Sequence, residues 1–141
     1  MIINLISPSC EPSRGRLKAT FAYVGIRVKD MRKSLEFYTK VLGMKEVGRS
    51  KIAVAKGEVV SLVSTDGGFS LELNAYDDDS EYNTNYAVGE GLDHLAFQTE
   101  DLDKFLAEAK KLGYPVAAEM KTEKSRWAYI EDPDGIWIEL F

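Results

Sequence analysis

The chain has 141 residues, 45% apolar and 29% charged, which suits one folded domain with its own core and excludes a disordered segment. A formal net charge of −5 argues against nucleic acid or an anionic membrane as the main partner. Cys10 is the only cysteine, so an internal disulfide and a cysteine zinc cluster are excluded within one chain.

A reducing, cytoplasmic setting fits this cysteine usage, and no stretch reaches the roughly 18 apolar residues of a membrane span. Residues 1–20 contain Pro8, Pro12 and Gly15, then the cations Arg14, Arg16 and Lys18. They read as a leader with a short strand at Ile2 to Ile6, suited to an edge or a subunit interface. Met1 to Ser7 is apolar but lacks the basic region of a signal peptide.

A first module is expected over 21–76. Phe21 to Val28 reads as a strand. Asp30 is placed to cap a helix whose apolar positions are Met31, Ser34, Leu35, Tyr38, Val41 and Leu42. Gly43 stops it. Lys45 to Val54, Glu58 to Thr65 and Phe69 to Tyr76 read as strands, divided by the turn signals Lys56-Gly57 and Asp66-Gly67-Gly68. Residues 77–90 form an acidic linker or lid. The run Asp77-Asp78-Asp79 lacks the glycine and terminal glutamate of a calcium loop.

A second module is expected over 91–141. Leu95 to Thr99 reads as a strand, and Asp101 caps a helix carrying Leu102, Phe105, Leu106, Ala109 and Leu112, ended by Gly113. Strands are expected at Val116 to Met120, Arg126 to Glu131 and Ile136 to Phe141. The turn Asp132-Pro133-Asp134-Gly135 precedes the last of them.

The modules overlay. Tyr23 to Asp30 matches His94 to Asp101, Leu42-Gly43-Met44 matches Leu112-Gly113-Tyr114, and Leu71-Glu72-Leu73 matches Ile138-Glu139-Leu140. The stretch from Asp30 to Gly43 is longer by a single residue than that from Asp101 to Gly113, so the overlay slips within the helix. The expected fold is α+β, with two βαβββ repeats forming curved mixed sheets around a shared cleft.

Strand parity gives the candidate site. Glu72 and Glu139 are each flanked by apolar residues that point the other way, so both carboxylates lie on the face opposite the core. Glu72, His94 and Glu139 offer oxygen, nitrogen and oxygen, a donor set suited to divalent Zn, Ni, Fe, Mn or Co. From the residues alone, a metal site and three unrelated polar groups both stand open. Tyr23, Trp127, Tyr129, Trp137 and Phe141 could instead line a groove for a flat ligand.

From Tyr23 to Phe141 the chain resembles the vicinal oxygen chelate superfamily, the glyoxalase, bleomycin-resistance and dioxygenase fold, and is closest to lactoylglutathione lyase-like proteins. The residues that carry this are Val24-Gly25-Ile26-Arg27-Val28-Lys29-Asp30, Ser34 to Met44, Gly91 to Phe97, and Glu131 to Leu140. The resemblance implies metal ligands at Glu72, His94 and Glu139, with Tyr23 in place of the usual first ligand. It implies Glu72 or Glu139 as catalytic base and a substrate contact from Arg27; strand parity and the aromatic groove add Tyr23, Gln98 and Trp137 as candidate substrate contacts. Tyr76 stands where the family's glutathione-binding asparagine is expected.

The implied activity is a metal-dependent lyase or isomerase acting on a small substrate that chelates a divalent metal through adjacent oxygens. The alternative is a non-catalytic small-molecule binding or resistance protein. An extradiol-type dioxygenase ranks lower, because Tyr23 breaks its histidine pattern. A homodimer is expected, with a small molecule as ligand and no nucleic acid or membrane partner.

Overall fold

The computed structural model describes residues 22–89, 92 and 94–141; the expected leader, with its strand at residues 2–6, lies outside the described residues. Strand β1 (Val24–Arg27) leads to helix α1 (Met31–Glu36). Asp30 caps α1: its carboxylate accepts a hydrogen bond from Lys33 N at 3.0 Å, satisfying one amide that the first turn leaves unpaired. The helix then widens into a π turn, Phe37–Val41, closed by Leu42 N donating to Phe37 O at 3.3 Å. That turn accommodates the residue by which the first helix exceeds the second. Gly43, at φ +70°, and Gly113, at φ +97°, end the two helices in the left-handed region.

Strands β2 (Lys45–Ile52), β3 (Gly57–Val63) and β4 (Ser70–Tyr76) complete the first half. Its sheet has the order β1-β4-β3-β2, with β1 parallel to β4 and the rest antiparallel. Strand β5 (His94–Phe97), helix α2 (Leu102–Lys111) and strands β6 (Ala118–Lys121), β7 (Arg126–Glu131) and β8 (Trp137–Leu140) form the second half. Its order is β5-β8-β7-β6, with β5 parallel to β8. Asp101 caps α2 through Lys104 N at 3.0 Å.

Alternation along the strands divides each sheet into two faces. In the first sheet, Ile26, Val60, Leu62, Leu71 and Leu73 are buried. In the second, Ala128, Ile130, Ile138 and Leu140 are buried. Each fully buried Leu or Ile contributes about 1.5–3 kcal/mol of transfer free energy. Both sets belong to one cluster that also contains Met31, Phe37, Tyr38 and Leu106 from the helices.

This arrangement corrects the expected curved sheets around a shared cleft. Two separate, open four-stranded sheets form, and no strand pair joins them among the described residues. The reason lies in the shared core. Both apolar faces turn toward one cluster with the helices, so the opposite faces turn away from it and do not wrap a common cavity within the chain.

The halves are joined through their helices and one turn. Phe37 and Tyr114 meet edge-on at 4.6 Å between ring centroids. The buried Tyr38 hydroxyl donates to Asp132 Oδ2 at 3.1 Å. Asp134 accepts from Ser34 Oγ and from the Lys29 amide, each at 3.3 Å.

Candidate functional site

The second-half face is aromatic and acidic. Register pairs His94 with Trp137 and pairs Glu139 with both Ala96 and Tyr129, so these side chains share one side of the sheet. His94 Nε2 lies 3.1 Å from Glu139 Oε2. The Tyr129 hydroxyl donates to that same oxygen at 3.0 Å. Tyr129 lies edge-on to His94 at 5.8 Å and tilted against Trp137 at 4.9 Å. Trp137 remains 37% exposed. Parity from the sequence places Glu139 beside Trp137, and the structure adds a histidine and a tyrosine already bonded to the carboxylate.

The first-half face is smaller and polar. Glu72 lies opposite Gly25 on β1 and Ser61 on β3. Ser61 Oγ donates to Glu72 at 3.4 Å, a long contact. Tyr23 precedes β1 and is 52% exposed. Arg27 pairs in register with Asn74, yet its guanidinium is directed at the linker. It donates to Tyr82 O and Asn85 O, each at 3.1 Å, and to Thr84 Oγ1 at 2.9 Å.

Tyr86 lies under the Arg27 and Lys29 cations, 5.2 and 4.7 Å from its ring centroid. Burial pushes its phenol above the usual range. Its role had no signal in the sequence, because a linker has no periodicity from which to read a contact. Gln98 is exposed at the end of β5.

His94 and Glu139 are therefore together, and Trp137 adjoins them. Glu72 belongs to the other sheet. Among the described residues, no three His, Cys, Asp or Glu side chains group so as to hold a metal ion. Within one chain the three expected donors are not brought together: Glu72 lies on the other sheet, while His94 and Glu139 are 3.1 Å apart. Among the described residues, no helix is long and apolar enough to cross a membrane.

A different acidic group joins the halves. Asp132 is 4% exposed and accepts from the Asp134 amide at 2.9 Å, the Ile136 amide at 2.8 Å and the Tyr38 hydroxyl. Burial raises its carboxyl above the ordinary aspartate range despite these donors. Burial, followed by the neighbouring Asp132 charge, raises the Tyr38 phenol.

The model of the Glyoxalase/Bleomycin resistance protein/Dioxygenase superfamily matches residues 20–140. The chain belongs to this superfamily. It is 32% identical over 126 residues to the lactoylglutathione lyase GLX1 of Arabidopsis thaliana, covering 85% of this chain and 43% of that protein. It is 31% identical over 151 residues to a lactoylglutathione lyase of Pseudomonas aeruginosa, covering 92% and 86%. Among solved structures, a trypanothione-dependent glyoxalase I of Leishmania major superposes with a TM-score of 0.69 at 28% identity, covering 87% of this chain and 86% of that one. This superfamily member thus spans less than half of the Arabidopsis protein and most of the bacterial and protozoan ones.

Proposed function

We propose that the protein is a small-molecule-binding member of the superfamily, taking a flat, partly polar ligand on the face of β5, β7 and β8. The observation that carries this reading is the His94–Glu139–Tyr129 group beside Trp137. Its rings offer stacking area, and its carboxylate is held in place by a phenol and an imidazole. Binding to a rigid, prebonded group costs less ordering entropy than gathering loose side chains. Cytoplasmic residence suits the lone Cys10.

Both tryptophans lie on this half, Trp127 on β7 and Trp137 on β8, so intrinsic fluorescence reports on the face. Titration with a panel of flat aromatic compounds, and separately with bleomycin, is expected to give saturable quenching. Trp137→Ala is expected to weaken the tightest ligand by about tenfold, equivalent to about 1.4 kcal/mol. Saturable binding unaffected by Trp137→Ala, or no saturable quenching by any compound, would remove the reading.

One observation favours a second reading, a metal-dependent lyase or isomerase. Glu72 and Glu139 occupy equivalent places in the repeat, and the relatives at 31–32% identity are lactoylglutathione lyases. That reading requires a homodimer, in which Glu72 of one protomer meets His94 and Glu139 of its partner. Calorimetric titration of Zn²⁺, Ni²⁺ and Mn²⁺ into metal-stripped protein separates the two. Stoichiometric binding abolished by both Glu72→Ala and His94→Ala supports the lyase, and absence of binding supports the small-molecule binder.

A further inference from the structure

The outer face of the second sheet is one-sided in charge. Register sets Glu131 opposite Trp137 and Tyr129 opposite Glu139, so Glu131 shares the side of Trp137 and Glu139. Glu131 is exposed. On this side, none of the residues of β5, β6, β7 and β8 is a lysine or arginine. The first sheet differs: its outer face carries Arg27, in register with Asn74. The repeat sets Gln98 at the place of Arg27 and Glu139 at the place of Glu72. The second half thus keeps the carboxylate and has an uncharged amide where the first has a guanidinium.

Within that face the two oxygens of Glu139 are unequal. Oε2 accepts from the Tyr129 hydroxyl at 3.0 Å and lies 3.1 Å from His94 Nε2. Oε1 receives no hydrogen bond from the described residues. Among those residues no unpaired polar side-chain atom is fully buried, so Oε1 is reachable from outside. Trp137 rests against Tyr129 at 4.9 Å and is 37% exposed. It stands two residues from Glu139 on β8, so the two side chains leave the strand about 7 Å apart.

These features select a charge. The π face of an indole is negative and attracts a cation better than any other ring. A carboxylate oxygen accepts more strongly from a charged N–H donor than from a neutral one. Glu131 adds a second negative charge, and an anion on this face would meet two carboxylates. We propose that the ligand of this face is a planar organic cation with N–H donors, of the amidinium or protonated amino-heterocycle class, stacked on Trp137 and donating to Glu139 Oε1. An aryl ring with one exocyclic amidine has the length to make both contacts. This ligand class rests on the small-molecule reading above and narrows it.

Three probes of one shape separate charge from stacking: 2-naphthamidine, 2-naphthamide and 2-naphthoate, which are cationic, neutral and anionic at pH 7. Calorimetric titration into the full chain is expected to give the amidine an affinity about tenfold above that of the amide, with the naphthoate weakest. Glu139→Gln, which keeps the shape of the side chain, should bring amidine and amide to within about twofold of each other. Glu131→Lys, at an exposed position, should weaken the amidine about threefold at low salt and leave the amide unchanged; it decides alone should Glu139→Gln not fold. Equal affinity for amidine and amide, or tighter binding of the naphthoate, would overturn the proposal and leave the small-molecule reading standing. An amidine preference indifferent to both substitutions would place the cation elsewhere and also overturn it. Binding of none of the three would overturn it too, and the wider panel of flat compounds then decides separately whether the face takes any ligand.

Discussion

The two halves share an element order and a parity, and they differ in what each does with its turn and its outer face. The turn after β7 contains Asp132, buried and bonded to Tyr38 of the other half. The turn after β3 contains Asp66, exposed and bonded within its own hairpin, to Ser64 Oγ and the Gly68 amide. On the outer faces, Glu139 has a histidine and a tyrosine as close partners, whereas Glu72 has one long serine contact. Repetition thus preserved the backbone positions while burial assigned the chemistry. An aspartate in a turn stabilises a hairpin when solvated and joins two halves when enclosed.

The comparison breaks most visibly at the turns. Asp132→Ala is expected to cost about 3 kcal/mol, because it leaves a buried phenol and two amides without their acceptor. Asp66→Ala should cost less than about 1 kcal/mol, since water replaces its partners. Urea unfolding of both variants checks the contrast, and equal losses would mean that Asp66 is tied to the rest of the chain as firmly as Asp132 is.

The faces give a smaller contrast. Tyr129→Phe removes a 3.0 Å donor to Glu139 and should lower stability by about 0.5–1.5 kcal/mol. Ser61→Ala, which removes only the 3.4 Å contact to Glu72, should fall within about 0.5 kcal/mol of the natural chain. Thermal unfolding at one pH is sufficient. A larger loss for Ser61→Ala would make the first-half face the more organised one.

The third effect is a slope. Asp132 binds its proton more tightly folded than unfolded, so its stabilising share is fully present below the unfolded value near about 3.9. That share is lost as pH rises through the raised folded value. The surface carboxylates Asp30, Glu36 and Glu46 are shifted down by their amide and cationic partners and act in the opposite sense. The informative quantity is therefore the difference between the natural chain and Asp132→Asn. From pH 4 to 7 the natural chain should lose stability relative to that variant. A constant difference would place Asp132 at its ordinary value.

Much of this was legible in the sequence, for definite reasons. Asp30 and Asp101 were readable as caps, Gly43 and Gly113 as stops, and strand parity put Glu72 and Glu139 opposite the core. These are local or period-two properties, and the register bears them out. The way the two sheets face was not legible. Parity tells which side of a strand is apolar and leaves open whether two apolar sides meet in one core or flank a cleft. Nor was the grip of Arg27 on the linker legible, since it joins residues 55 to 58 positions apart through carbonyls that every residue carries. Strand ends shifted by one to a few residues, as at β1, which begins at Val24 rather than Phe21.

The π turn at Phe37–Val41 has a consequence for how such a chain can change its length. An extra residue in a strand would reverse the side of every later side chain, and carboxylate and leucine would trade places. In a regular helix it would rotate all that follows by about 100°. A single widened turn localises the insertion instead. Leu42 and Gly43 still arrive where Leu112 and Gly113 do in the other half, and the three strands beyond keep their phase. The widened turn is thus a place where one residue can be gained or lost without disturbing the rest. Deletion of Thr39, whose hydroxyl in that turn is bonded to the carbonyl of Leu35, is the change the fold is best placed to absorb.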